Sequence, residues 1–164
     1  MKNYTVLTLA LLMATITPSS FGQSSPSAEH RHDHATNKSP QAAKPALVHF
    51  PKQLRDHTLS NMRDHLSVIA KIQGYLAAHR FDDAAEIAEQ RLGMSSLKRH
   101  GAHEVAKYMP KGMQEAGSAM HRAASRFALV AQESAVNKDM GKPLAALATL
   151  TQMCVACHAG YRLQ

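Results

Sequence analysis

The chain has 164 residues, enough for one domain once any leader is set aside, and carries 19 Lys and Arg against 12 Asp and Glu, a formal charge of +7. With 4 Phe, 4 Tyr and no Trp beside abundant Ala, Leu and Met, the composition favours helices over sheets. The positive charge is spread along the chain with no nucleic-acid motif, so it fits an acidic partner protein, a membrane surface or plain solubility. No Gly-rich phosphate loop, nucleophile elbow or internal repeat is present, and no catalytic constellation names a substrate, so an enzyme is not expected.

The N-terminus has the form of a secretory signal peptide. Lys2 is its charged end, and Val6 to Ile16 is an apolar run too short to span a bilayer as a helix. Pro18 breaks the run, and Ser20 and Gly22 put small residues where cleavage is recognised. Cleavage is expected after Gly22, giving an exported, periplasmic protein without stable membrane insertion. Residues 23–51 read as a linker rich in Ser, Pro, Gln, Ala and Lys. Within it, Glu29, His30, His32, Asp33 and His34 could bind copper or zinc weakly. A plain polar tail is the simpler reading, because a flexible segment loses conformational entropy on forming a site.

Residues 52–164 form the expected domain. A first helix is predicted from about Lys52 to His79, entered at Pro51, with Leu59, Met62, Leu66, Ile69 and Leu76 on its inner stripe. A second begins near Phe81, capped by Asp82, and carries an apolar face to about Arg99. Gly101 and Pro110 punctuate a crossover with some helical character around residues 103–109. The third helix runs from about Met113 to Val136, with Met113, Met120, Phe127 and Val130 facing inward. Its small residues, Ala116, Gly117, Ala119, Ala123 and Ala124, permit close approach by a neighbouring helix or a flat group. After a turn at 137–142, a fourth helix begins at Pro143 and continues through His158. Four amphipathic helices with mostly short links predict an all-α, antiparallel four-helix bundle.

The end of the fourth helix carries the chemistry. Cys154-Val155-Ala156-Cys157-His158 is C-x-x-C-H, the attachment signature of a c-type haem, and it uses both cysteines of the chain. Two thiols can add to the two vinyl groups of one porphyrin, and the adjacent imidazole can reach the iron. On a helix Cys154 and His158 share a face, with Cys157 beside them. A thioredoxin-like thiol site would need a βαβ context, and structural zinc would need more ligands at matched spacing.

With this motif at the C-terminal end of a fourth helix, and continued as Ala159-Gly160-Tyr161-Arg162, the chain resembles the class II c-type cytochromes, the cytochrome c′ and cytochrome c556 family. The likeness covers residues 50–164 as architecture and about the last eleven as motif. It implies one haem c bound covalently through Cys154 and Cys157, with His158 as proximal iron ligand. It also implies that Arg162 lies near a haem propionate and that Tyr161 packs against the bundle.

The resemblance puts the distal residue on the first helix. Counting four positions from Arg55 gives Leu59, which cannot ligate; Met62 lies three residues further on the same face. His/Met ligation by His158 and Met62 would make an electron carrier with a raised reduction potential. Leu59 over an open iron would instead make a five-coordinate protein that binds NO or CO. Met113, Met120, His57 and His65 are less suited. An inward Met is more often core packing than ligand, so both readings stand here. An electron carrier would meet a redox partner with an acidic surface. Homodimers through the first helix are common in the family, but Arg55, Asp56, Arg63, Asp64 and Lys71 make its outward face charged.

Overall fold

The computed structural model describes residues 44–164. The predicted leader, its cleavage point and the histidines at 30, 32 and 34 lie outside them. The described residues are mainly helical, consistent with the all-α class expected from composition.

Helix α1 spans Lys52–Ala77. Pro51 stands at its entry, and its carbonyl accepts the first helical bond from the Arg55 amide at 2.9 Å. The buried positions are Thr58, His65, Val68, Ile72 and Leu76. This corrects the predicted stripe: Leu66 points to solvent at 74% exposure, while its neighbour His65 is only 9% exposed. Polarity alone would have placed these two the other way round. The helix ends through His79, whose φ of 55° turns the backbone left-handed.

Helix α2, Phe81–Arg91, starts where expected but differs at both ends. Its N-cap is Arg80, not Asp82, so Asp82 and Asp83 act in the first turn, near the positive helix end. Asp83 also pairs with Arg80 at 2.8 Å. The helix stops at Arg91 rather than near Arg99, because side chains capture the backbone that follows. Ser125 Oγ accepts the Met94 amide at 2.9 Å, and the Glu89 carboxylate accepts the Ser95 amide at 3.0 Å. A 3-10 turn, Met94–Ser96, results. The crossover contains one short helix, α3, Ala102–Ala106, entered through Gly101 at φ 61°.

Helix α4 spans Lys111–Asn137 and helix α5 spans Gly141–Gly160. Helix α5 thus begins two residues before Pro143. The Asp139 carboxylate accepts the Gly141 amide at 2.9 Å and anchors that start. Helix α4 packs on α5 and α2, and α2 packs on α1. Val68, Ile72, Leu76, Phe81, Leu92, Phe127, Leu147 and Leu150 join in their shared core.

Two short strands were not expected. Strand β1, Ala46–Val48, lies in the predicted linker; strand β2, Tyr161–Leu163, follows the cysteine motif directly. They pair in parallel, with Ala46 opposite Tyr161 and Val48 opposite Leu163. The pairing brings Val48 and Phe50 against Val105 and Met113, forming a second apolar cluster that Cys157 and Tyr161 also touch. The segment after the cysteine motif is therefore tied down from the far end of the domain.

Candidate cofactor-binding site

A cavity of about 590 Å³ opens between α1, α3, α4, α5 and β2. Its volume is within the range of small-molecule and cofactor sites. All six residues singled out in the sequence line it: Leu59 and Met62 from α1, Cys154, Cys157 and His158 from α5, and Arg162 from β2. Helix α5 delivers the cysteines at i and i+3 and the histidine at i+4, so one helix end supplies three of them. Helix α1 contributes the turn containing Leu59 and Met62 to the lining.

The walls are mostly apolar. Met62, Met109, Met113, Met120 and Met153 all contribute thioethers, which suit an irregular apolar surface. Small residues keep the space open. At Gly117, an added Cβ would meet nothing within 4 Å, so the wall there has room to spare.

Both cysteines are free thiols and half-buried. Burial pushes the Cys154 thiol up, and burial and then the neighbouring Cys154 push Cys157 up. Both therefore stay protonated at neutral pH, unlike the low-pKa thiolate of a redox-active pair. Cys154 Sγ points back to the Leu150 carbonyl at 3.6 Å.

The structure also assembles a group that sequence reading missed. His65 of α1, His100 of the crossover and His121 of α4 are all at least nine-tenths buried and line the same cavity. His65, one of the less suited distal candidates on α1, has its Nε2 3.3 Å from His100 Nε2. His121 Nδ1 donates to the Leu92 carbonyl at 2.7 Å. Ser96 Oγ donates to the Gly93 carbonyl at 2.7 Å and is 3.3 Å from His100 Nδ1. Burial, and then the neighbouring histidines, push His65 down to about 4; burial and then His121 push His100 to about 4. Burial also lowers His121. The three imidazoles are neutral at pH 7. No local motif links them, since each comes from a different element; only the 3-residue spacing of Met62 and His65 hinted that His65 could face inward.

No family model, curated protein or solved structure matches this chain. Among the described residues no helix is long and apolar enough to cross a membrane.

Proposed function

We propose that this chain is an exported class II c-type cytochrome that carries electrons, built as an antiparallel four-helix bundle around one covalent haem c. The supporting observation is the convergence of Cys154, Cys157, His158, Arg162, Leu59 and Met62 on one apolar cavity. Cys154, Cys157 and His158 follow from the motif, and Leu59, Met62 and Arg162 from the family resemblance. Chance would not readily gather residues from both ends of the domain around a space of cofactor size.

In this reading α1, α2, α4 and α5 are the four bundle helices. The links 78–80 and 138–140 are short, which favours antiparallel neighbours within each pair. Cys154 and Cys157 would hold the porphyrin as thioethers, and His158 would give its imidazole to the iron. Met62 would offer its thioether to the iron, and Leu59 and the other methionines would exclude water. Arg162, which is exposed and lines the cavity, would pair with a propionate. The haem supplies a one-electron ferric–ferrous couple, and the thioether of Met62 favours its ferrous form. The excess of Lys and Arg steers an acidic redox partner, with an association rate that falls as salt rises.

Leu59 lines the same wall as Met62, which supports a second reading as a five-coordinate NO- or CO-binding protein. The visible spectrum of the reduced, exported protein separates the two. A low-spin spectrum unchanged by CO supports the electron carrier and rejects gas binding. A high-spin spectrum that shifts with CO does the reverse. A protein exported without covalent haem overturns both.

A further inference from the structure

The three buried imidazoles have a feature that packing does not require. The Ser96 hydroxyl hydrogen is committed to the Gly93 carbonyl, so Ser96 Oγ can only accept from His100 Nδ1. His100 is then the Nδ1–H tautomer, and its Nε2 carries a bare lone pair. His121 donates through Nδ1 to the Leu92 carbonyl, so in its neutral form its Nε2 is bare as well. An outward N–H bonded to a carbonyl or hydroxyl, with the inner nitrogen unprotonated, is how proteins prepare histidines as metal ligands; without metal, His100 Nε2 accepts the His65 Nε2–H.

The spacing agrees. An ion with bonds of about 2.1 Å and tetrahedral angles keeps its ligand nitrogens about 3.4 Å apart. His65 Nε2 and His100 Nε2 are 3.3 Å apart. The ring centroids of the three histidines are separated by 4.6, 5.4 and 6.3 Å. The group also lines the cavity.

We propose that His65 and His100, with His121 drawn in as the third ligand, bind one ion of the zinc or copper class through their Nε2 atoms. Among the described residues no three His, Cys, Asp or Glu stand in metal-binding geometry as they are. His65 and His100 already have the separation, and binding has to move His121 and switch His65 to its Nδ1–H tautomer. Imidazole donors suit zinc and copper rather than magnesium or calcium. Asp64 and Arg91 neutralise each other beside His65, and the Arg99 guanidinium beside His100 is left as a net positive charge. The ion would enter an uncharged ligand set, which favours a soft or borderline cation held by nitrogen over one that needs carboxylates.

The test is equilibrium dialysis of the full chain, with His30, His32 and His34 changed to Ala, against Zn2+ and separately Cu2+. Metal analysis counts ions per chain; any haem iron is counted apart. One zinc or copper per chain is expected. His65→Gln and His100→Gln abolish it, and His121→Gln weakens it at least tenfold. His103→Gln, at an exposed position, leaves it unchanged. No bound ion, or a count indifferent to His65→Gln and His100→Gln, overturns the proposal. A readout without variants guards against misfolding: imidazole nitrogen NMR of the reduced protein shows His65 as the Nε2–H tautomer alone and as Nδ1–H with Zn2+. Unchanged tautomers in excess Zn2+ also overturn it. Because the ion count is separate from iron content, this proposal and the haem reading can fail independently.

Discussion

Gly112 and Tyr161 meet so closely that a Cβ on Gly112 would fall on the Tyr161 hydroxyl. Gly112 is in the first turn of α4, and Tyr161 is the first residue of β2, immediately after the cysteine-bearing helix. The contact helps set where the chain goes after the C-x-x-C-H motif. Gly112→Ala gains up to about 1 kcal/mol of helix propensity. The overlap costs about 1–3 kcal/mol, so the variant is expected to be less stable. The ring carbon bearing that hydroxyl stays 3.7 Å from the added Cβ, an ordinary contact. In a Tyr161→Phe background, Gly112→Ala should therefore raise the melting temperature. Thermal melts of the four proteins in this cycle check the sign change, and a loss of stability in both backgrounds refutes the hydroxyl as its cause.

Acid should destabilise the fold through the histidine group. His65 and His100 sit near pKa 4 in the folded chain, mainly because burial disfavours their charged form. An unfolded histidine titrates near 6.5. Between these values the unfolded chain binds more protons, so stability falls as pH drops from about 6.5 towards 4 and is insensitive to these groups above 7. Each shift corresponds to roughly 3 kcal/mol at its acid limit, and coupling makes the pair less than additive. Urea midpoints in chelator, measured from pH 7 to pH 4, check this. His100→Gln should flatten the slope in that window.

Asp64 and Arg91 join α1 to α2 through a close ion pair, each side chain about one-third exposed. Arg91 Nε is buried with no partner of its own, so the pair is the main anchor of that guanidinium. Asp64→Asn keeps the shape and removes the charge. Partial exposure screens the pair, so the expected loss is about 1 kcal/mol, or about 3–5 °C in melting temperature. A melt at 1 M salt should narrow the gap between wild type and variant; an equal gap at both salt concentrations means that the loss is not electrostatic.

The parts of the fold that sequence made legible are those set by local, repeated signals. Helix α5 and its motif could be read because Leu147, Leu150, Cys154 and His158 repeat at helical spacing, and C-x-x-C-H has a chemical meaning of its own. The start of α2 at Phe81 and the positions of α1 and α4 followed for the same reason. What sequence did not give depends on distant partners. The three residues of β1 become a strand only because Tyr161 to Leu163 lie alongside them. The end of α2 depends on Ser125, in another helix, accepting the Met94 amide. Likewise the inward turn of His65 depends on His100, which polarity would place in solvent. The candidate site divides the same way: its six residues were legible one by one, and the histidine group beside them was not.

The sharpest expectation concerns Met62. It lines the cavity with a half-buried side chain, while Leu59, one turn earlier, is 37% exposed. Helix α1 thus presents Met62 further into the protein than Leu59, which favours the thioether over Leu59 as the proposed distal group. If Met62 ligates, Met62→Ala converts a low-spin spectrum to a high-spin one, lets CO bind to the reduced protein and lowers the reduction potential, because the soft ligand that favours ferrous iron is gone. Leu59→Ala should leave spin state and potential nearly unchanged, since it removes only wall. Visible spectra and potentiometric titration of both variants check this pair. An unchanged spectrum in Met62→Ala excludes Met62 as the ligand and moves the proposed function towards gas binding.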